Sequence, residues 1–207
     1  GNAIKFTDKG AVTVTAKDAF NNTATGYLGT VAFTSSDGAA VLPGNYTFTA
    51  RVVAVPNVGG AELLAVSPVE ILVAAREKNT RLFVIDLDHT VVDSAFLHVL
   101  LDGGKPMADS VAVTNRLAGQ YGIVYLTHRP DLLTRRSKAF LKDNGYPPGP
   151  LLVIRLKDVL DSGRFKTAKL GELRKAFPGV VAGVGDTLSD AQAYAANGLT
   201  AYLIPAC

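Results

Sequence analysis

The sequence predicts an α/β fold: a parallel sheet between two layers of helices, with no large inserted cap, preceded by a small all-β sandwich. Three observations predict it. Residues 11 to 74 hold short runs that alternate in strand fashion between turn clusters. From residue 82 onward, five apolar runs alternate with stretches of helical spacing. Two aspartates, Asp86 and Asp88, stand at the end of the first of those runs, where open α/β sheets bind their ligands.

The amino-terminal strands are expected at Ala11 to Ala16, Thr30 to Thr34, Tyr46 to Val55 and Val69 to Ala74. Between them lie turn clusters such as Asp18 to Thr23, Ser35 to Gly38, Pro43-Gly44-Asn45 and Asn57 to Gly60. Short strands about ten residues apart argue for a sandwich. The polar stretch 75 to 80, Ala-Arg-Glu-Lys-Asn-Thr, marks the boundary between a first domain at 1–76 and a second at 79–207.

In the second domain, strands are expected at 82–87, 122–126, 151–154, 180–184 and 200–204. Each is a short apolar run, as strands covered on both faces read. Helices are expected at 108–120, 131–144, 166–177 and 187–197 from their apolar spacing. Gly145 and the Pro147-Pro148-Gly149-Pro150 cluster stop the second helix.

Composition narrows the class. With 207 residues and 48% apolar content, the chain can build real cores, which excludes a disordered protein. Its one cysteine, Cys207, excludes an internal disulfide framework. No apolar run approaches the roughly eighteen residues of a membrane span. The first residues carry no basic-then-apolar leader, leaving either a cytosolic protein or a chain that starts after a removed leader. Residues 1–78 balance six basic against six acidic side chains, so the net charge of +3 falls on the second domain. That excess suits an anionic partner, although ordinary surface scatter also produces it. Nothing points to nucleic acid.

The chemistry lies in four short signatures: Asp86-Leu87-Asp88-His89-Thr90, Thr127, Lys166, and Gly185-Asp186 with Asp190. A carboxylate such as Asp86 can attack phosphorus and form an aspartyl-phosphate, splitting one hard hydrolysis into two easier steps. Asp88, two positions on, is placed to protonate the leaving oxygen and later to take a proton from water. Phosphoryl transfer further requires charge neutralisation, for which Asp186 and Asp190 can hold Mg2+ and Lys166 can face the transferred oxygens. In Gly183-Val184-Gly185-Asp186 the glycines are expected to let the strand end turn tightly. Each signature alone has a plain alternative, as a turn, a helix cap or a surface lysine. Their order along the chain, each beside the right element, is what gives them weight.

Residues 81 to 206 resemble the haloacid dehalogenase superfamily of aspartate-nucleophile phosphatases, whose core is Rossmann-like. The resemblance rests on Asp86, Asp88 and Thr90, on Thr127 after Ile123-Val124-Tyr125-Leu126, on Lys166, and on Asp186 with Asp190. It implies Asp86 as nucleophile and Mg2+ ligand, Asp88 as acid/base with its carbonyl on the metal, Thr127 and Lys166 as the phosphoryl clamp, and Asp186 and Asp190 as further metal residues. Where that superfamily usually has glycine, this chain has His89. A narrower resemblance, to the lipin/LNS2-like domain of lipins and membrane-associated phosphatidylinositol transfer proteins, rests on Tyr125 to Leu132, Phe140 to Pro150, Arg164 to Leu170 and Phe177-Pro178. It implies a phosphatidate phosphatase or, where the acids are lost, a phosphatidate-binding module. This chain keeps the acids. Thr13 to Ala24 resembles bacterial immunoglobulin-like repeats, which implies an adhesive or spacer module and an extracytoplasmic, periplasmic or secreted setting.

About forty residues separate Asp88 from Thr127, and as many separate Thr127 from Lys166, too few for a large cap. An open site suits a substrate borne on a membrane or macromolecule. Arg129, Arg135, Arg136, Arg155 and Lys157 are candidates for an anionic approach, and His128 and Arg129, with Thr127 and Lys166, are placed at the substrate. His128 reads equally as a packing residue, Arg135 and Arg136 can simply face water, and His98 reads as structural. The expectation is a Mg2+-dependent phosphomonoester hydrolase acting on phosphatidate or another phosphate, with peripheral membrane contact. Its rivals are a headgroup-binding module, a soluble-metabolite phosphatase, an adhesion module beside a vestigial enzyme, and a phosphotransferase.

Overall fold

The chain falls into two units, Gly1–Ala75 and Arg76–Cys207, in a computed structural model that describes residues 44–50, 69–93, 104–156 and 162–204. In the first unit, β1 (Gly44–Ala50) pairs antiparallel with β2 (Val69–Ala75), Gly44 opposite Ala75. The strands expected at 11–16 and 30–34 lie outside the described residues. Among the described residues this antiparallel pair is what bears on the expected sandwich, whose other strands fall outside them.

Among the described residues, the second unit is α/β, with five parallel strands and four helices. In chain order these are β3 (Leu82–Ile85), α1 (Ser110–Ala118), β4 (Gly122–Pro130), α2 (Thr134–Asp143), β5 (Leu151–Ile154), α3 (Ser162–Ala176), β6 (Val180–Gly185), α4 (Leu188–Ala196) and β7 (Thr200–Leu203). The order across the sheet is β5-β4-β3-β6-β7, which puts β3 at its centre. All four β3 residues are buried. Because side chains alternate along a strand, Phe83 and Ile85 enter one core with Ile123, Tyr125, Phe140 and Tyr146. Leu82 and Val84 enter the other with Val124, Leu126, Leu170 and Tyr194. Helices α1 and α2 cover the first face, and α3 and α4 the second.

Several ends move by one or two residues, as where the strand expected at 82–87 ends at Ile85, and three boundaries differ by more. The strand expected to end at 126 runs to Pro130, with a register shift against β5 between Leu126 and Pro130. Helix α3 starts at Ser162 rather than 166, so Lys166 lies within its second turn. A single 3₁₀ turn, Asp131–Leu133, precedes α2, where continuous α-helix was expected. Among the described residues, no helix is long and apolar enough to cross a membrane.

Candidate active site

The chain leaves β3 for β4 and β5 on one side of the sheet and returns to β6 and β7 on the other, so the direction of winding reverses between β3 and β6. Crevices outside the carboxyl ends of strands at such a reversal are where α/β sheets hold ligands. Asp86 follows β3 and Asp186 follows β6. The Asp86 amide still donates to the Val184 carbonyl at 3.0 Å, tying the start of the motif loop to the end of β6.

Three carboxylates converge there. One oxygen from each of Asp86, Asp186 and Asp190 lies within 4.8 Å of the others. Lys166 donates to Asp86 Oδ1 at 2.7 Å and also pairs with Asp190 Oδ1. The other oxygen of Asp190 accepts from the Thr187 hydroxyl at 2.7 Å and from the Thr187 amide, forming a capping box that starts α4. Asp190 thus anchors its helix with one oxygen and faces the site with the other.

Asp86 is only 4% exposed. Burial pushes its carboxyl up to about 7, a rise that Lys166 opposes and Asp190 reinforces. Burial also raises Asp186 above the usual carboxylate range. For Lys166, burial acts to lower the ammonium, but Asp86 and Asp190 outweigh it and hold the group above its ordinary value. Three carboxylates against one ammonium leave an excess of negative charge, presented on oxygen alone, which suits a hard divalent cation.

Asp88 sits apart from that cluster and has its own cation. Arg129 Nη2 donates to Asp88 Oδ1 at 2.7 Å, and Nε reaches Oδ2 at 3.0 Å. Arg129, expected at the substrate, is instead buried behind the motif. Its remaining nitrogen donates to Ser137 Oγ at 3.1 Å, and its amide to Thr127 Oγ1 at 3.2 Å. Thr127 is fully buried in β4. His128 is half-buried, with its ring 6.4 Å from that of Phe165. Arg135, Arg136 and Arg155 are exposed, while His98 and Lys157 lie outside the described residues.

Two local features explain residue choices in the motifs. His89 has φ of 52°, the left-handed region in which glycine is at ease, and this is the position where the sequence departs from the usual glycine. The glycines of Gly183-Val184-Gly185 serve close approach rather than a turn. A Cβ on Gly183 would lie 2.3 Å from the Tyr194 ring, and one on Gly185 would lie 2.6 Å from Asp190. Only bare backbone lets α4 come near enough to place Asp190. Ser137 was missed in the sequence; a serine four after Leu133 and three before Phe140, on the buried face of α2, was the available signal.

A family profile described as "PITM 1-3, LNS2 domain" matches residues 83–204. The chain belongs to the LNS2 family. The LNS2 match runs from β3 through β7 and includes every residue of the cluster. A search of curated proteins found no match. Among solved structures, this chain is similar to a chain in the "Structure of the Pnkp1/Rnl/Hen1 RNA repair complex", at 15% identity and a TM-score of 0.54 over 64% of this chain. The aligned region spans 45% of that chain, and at this identity the likeness shows the fold alone. Weaker likenesses are to D,D-heptose 1.7-bisphosphate phosphatase from B. bronchiseptica complexed with magnesium and phosphate (20% identity, TM-score 0.46, 59% of this chain and 79% of that one) and to a hydrolase from Streptococcus pneumoniae TIGR4 (13%, 0.44, 62% and 94%).

Proposed function

We propose that this LNS2 chain is a Mg2+-dependent phosphomonoester hydrolase of the aspartyl-phosphate type. The observation that carries the reading is the convergence of Asp86, Lys166, Asp186 and Asp190 on the sheet's reversal point, with Asp88 two residues from the nucleophile. Asp86, Asp186 and Asp190 would hold the cation, which supplies neutralisation of charge on the transferred phosphoryl group. In the first step an Asp86 oxygen forms a bond to phosphorus as the ester P–O bond breaks, and the leaving oxygen takes its proton from Asp88. In the second step water attacks the same phosphorus, Asp88 takes the water's proton, and the acyl P–O bond breaks to free phosphate and Asp86. Lys166, with the Thr127 hydroxyl, is assigned to the phosphoryl oxygens.

Phosphatidate or another membrane-borne phosphate is the proposed substrate class. LNS2 membership supports it. So does the carboxyl edge of the sheet, where exposed Leu132, Leu156 and Leu188 follow β4, β5 and β6 beside exposed Arg135 and Arg155. Apolar side chains mixed with cations favour an anionic lipid surface. Phosphate release with Mg2+ would be measured on vesicle-borne phosphatidate, sugar phosphates, nucleotides and an aryl phosphate, with Asp86→Asn as blank. Release selective for phosphatidate upholds the full reading. Release selective for a soluble ester keeps the mechanism and discards the lipid, and release no higher than the blank on every substrate leaves a headgroup-binding module.

A further inference from the structure

We infer that Arg129 is a positioning residue whose guanidinium aims the Asp88 carboxyl at the leaving-group oxygen. The inference rests on the phosphomonoester reading above and assigns Arg129 a part in it other than substrate contact. Arg129 is 3% exposed, while the Asp88 side chain is 25% exposed, so the arginine stands behind the aspartate and not between it and solvent. All three guanidinium nitrogens are engaged: Nε and Nη2 on the two Asp88 oxygens, Nη1 on Ser137 Oγ. A planar fork bonded to both oxygens fixes the plane of a carboxylate, which a lysine ammonium cannot do.

Asp88 has need of such a fix. It lies in the loop after β3, beside the left-handed His89, and its own strand-like contact is a single bridge to Val92. A partly exposed aspartate on such a loop otherwise samples several rotamers. The fork is itself held from two sides, by fully buried Ser137 on α2 and by the Arg129 amide on Thr127 in β4. The extension of β4 from 126 to Pro130 is what carries Arg129 to this point. A carboxyl held within a few tenths of an ångström transfers a proton far better than one that wanders, and a well-placed general acid contributes about 10²- to 10⁴-fold.

The test exploits leaving-group chemistry. The burst of released alcohol that accompanies phosphoenzyme formation would be followed with phosphatidate in mixed micelles, an alkyl ester that needs a proton, and with 4-nitrophenyl phosphate, an aryl ester that leaves readily without one. Arg129→Gln is expected to slow the alkyl burst by about 10²-fold and the aryl burst by less than about threefold. Ser137→Ala, which removes only the fork's rear anchor, should show the same split at about a tenth of its size, and it serves if Arg129→Gln fails to fold. Equal losses on both esters would mean a structural ion pair and overturn the inference. A rise in KM on both with kcat unchanged would return Arg129 to the substrate. If the wild-type chain releases neither alcohol, the phosphatase reading fails first and the positioning role with it, an outcome distinct from an active wild type with no split.

Discussion

Asp86 and Asp88 lie two residues apart on one loop, and each receives a cation from a distant element, yet the two pairs are built differently. Asp86 is buried, meets a lysine and shares it with Asp190. Asp88 is partly exposed, meets an arginine and has both oxygens forked by it. A lysine is a compact point charge that can turn from a carboxylate to an incoming phosphoryl oxygen, whereas an arginine fork holds one partner in one plane. On the proposed reading, the loop separates a side that exchanges partners from a side that stays still.

Removing the exchangeable cation should have the largest effect. Lys166→Gln is expected to lower Mg2+-dependent kcat/KM by about 10²- to 10³-fold, measured on whichever ester the wild type prefers. The neighbouring charge gives the next test. Asp86 titrates near 7 when folded and near 3.8 otherwise, so below 3.8 it contributes nothing to stability. Between those values the unfolded chain is ionised and the folded one is not, so stability falls as pH rises, and the whole penalty stands above 7. In metal-free buffer, Asp86→Asn should therefore unfold at higher temperature than wild type at pH 8, by an upper bound of about 4 kcal/mol, and show no advantage at pH 3.5. An equal shift at both pH values would show that burial, not charge, sets the difference.

Gly183→Ala would drive a methyl into the Tyr194 ring and displace α4, costing about 1–3 kcal/mol in urea unfolding. It should weaken Mg2+ binding through Asp190 while leaving the Asp88 side intact. With Asp86 as a Mg2+ ligand, as proposed, protons would compete for it, so the apparent Mg2+ affinity by calorimetry should rise about tenfold per pH unit below 7 and level off above it. The smallest effect belongs to the still side: His89→Gly relieves a left-handed backbone and should stabilise the chain by about 1 kcal/mol or less.

Much of this was legible because the signals were local. Apolar runs such as Leu82 to Ile85 and Val180 to Val184 read directly as strands, and carboxylates at strand ends read as a site. What was not legible depends on partners remote in sequence. Thr127-His128-Arg129-Pro130 has no strand pattern of its own; the neighbouring β5 and the Asp88 ion pair draw it into the sheet. Ser162-Gly163-Arg164-Phe165 has weak helix propensity at Gly163, yet α3 begins there. The glycines of β6 look like turn residues until Tyr194 and Asp190 occupy the space beside them. Arg129 looked like a phosphate ligand because sequence gives a side chain's charge and not its direction.

The reversal of winding at β3 has a temporal side. Asp86 precedes Lys166 by 80 residues, and Lys166 precedes Asp190 by another 24. On a chain made from its amino end, the first acid therefore waits for most of the unit to be synthesised before the groups that neutralise it exist. Closing such long loops comes late and slowly in folding. A fragment ending before β6 would retain β3, β4 and β5 but lack Asp186 and Asp190, so on the proposed reading metal affinity would appear only when the last two strands have joined the sheet.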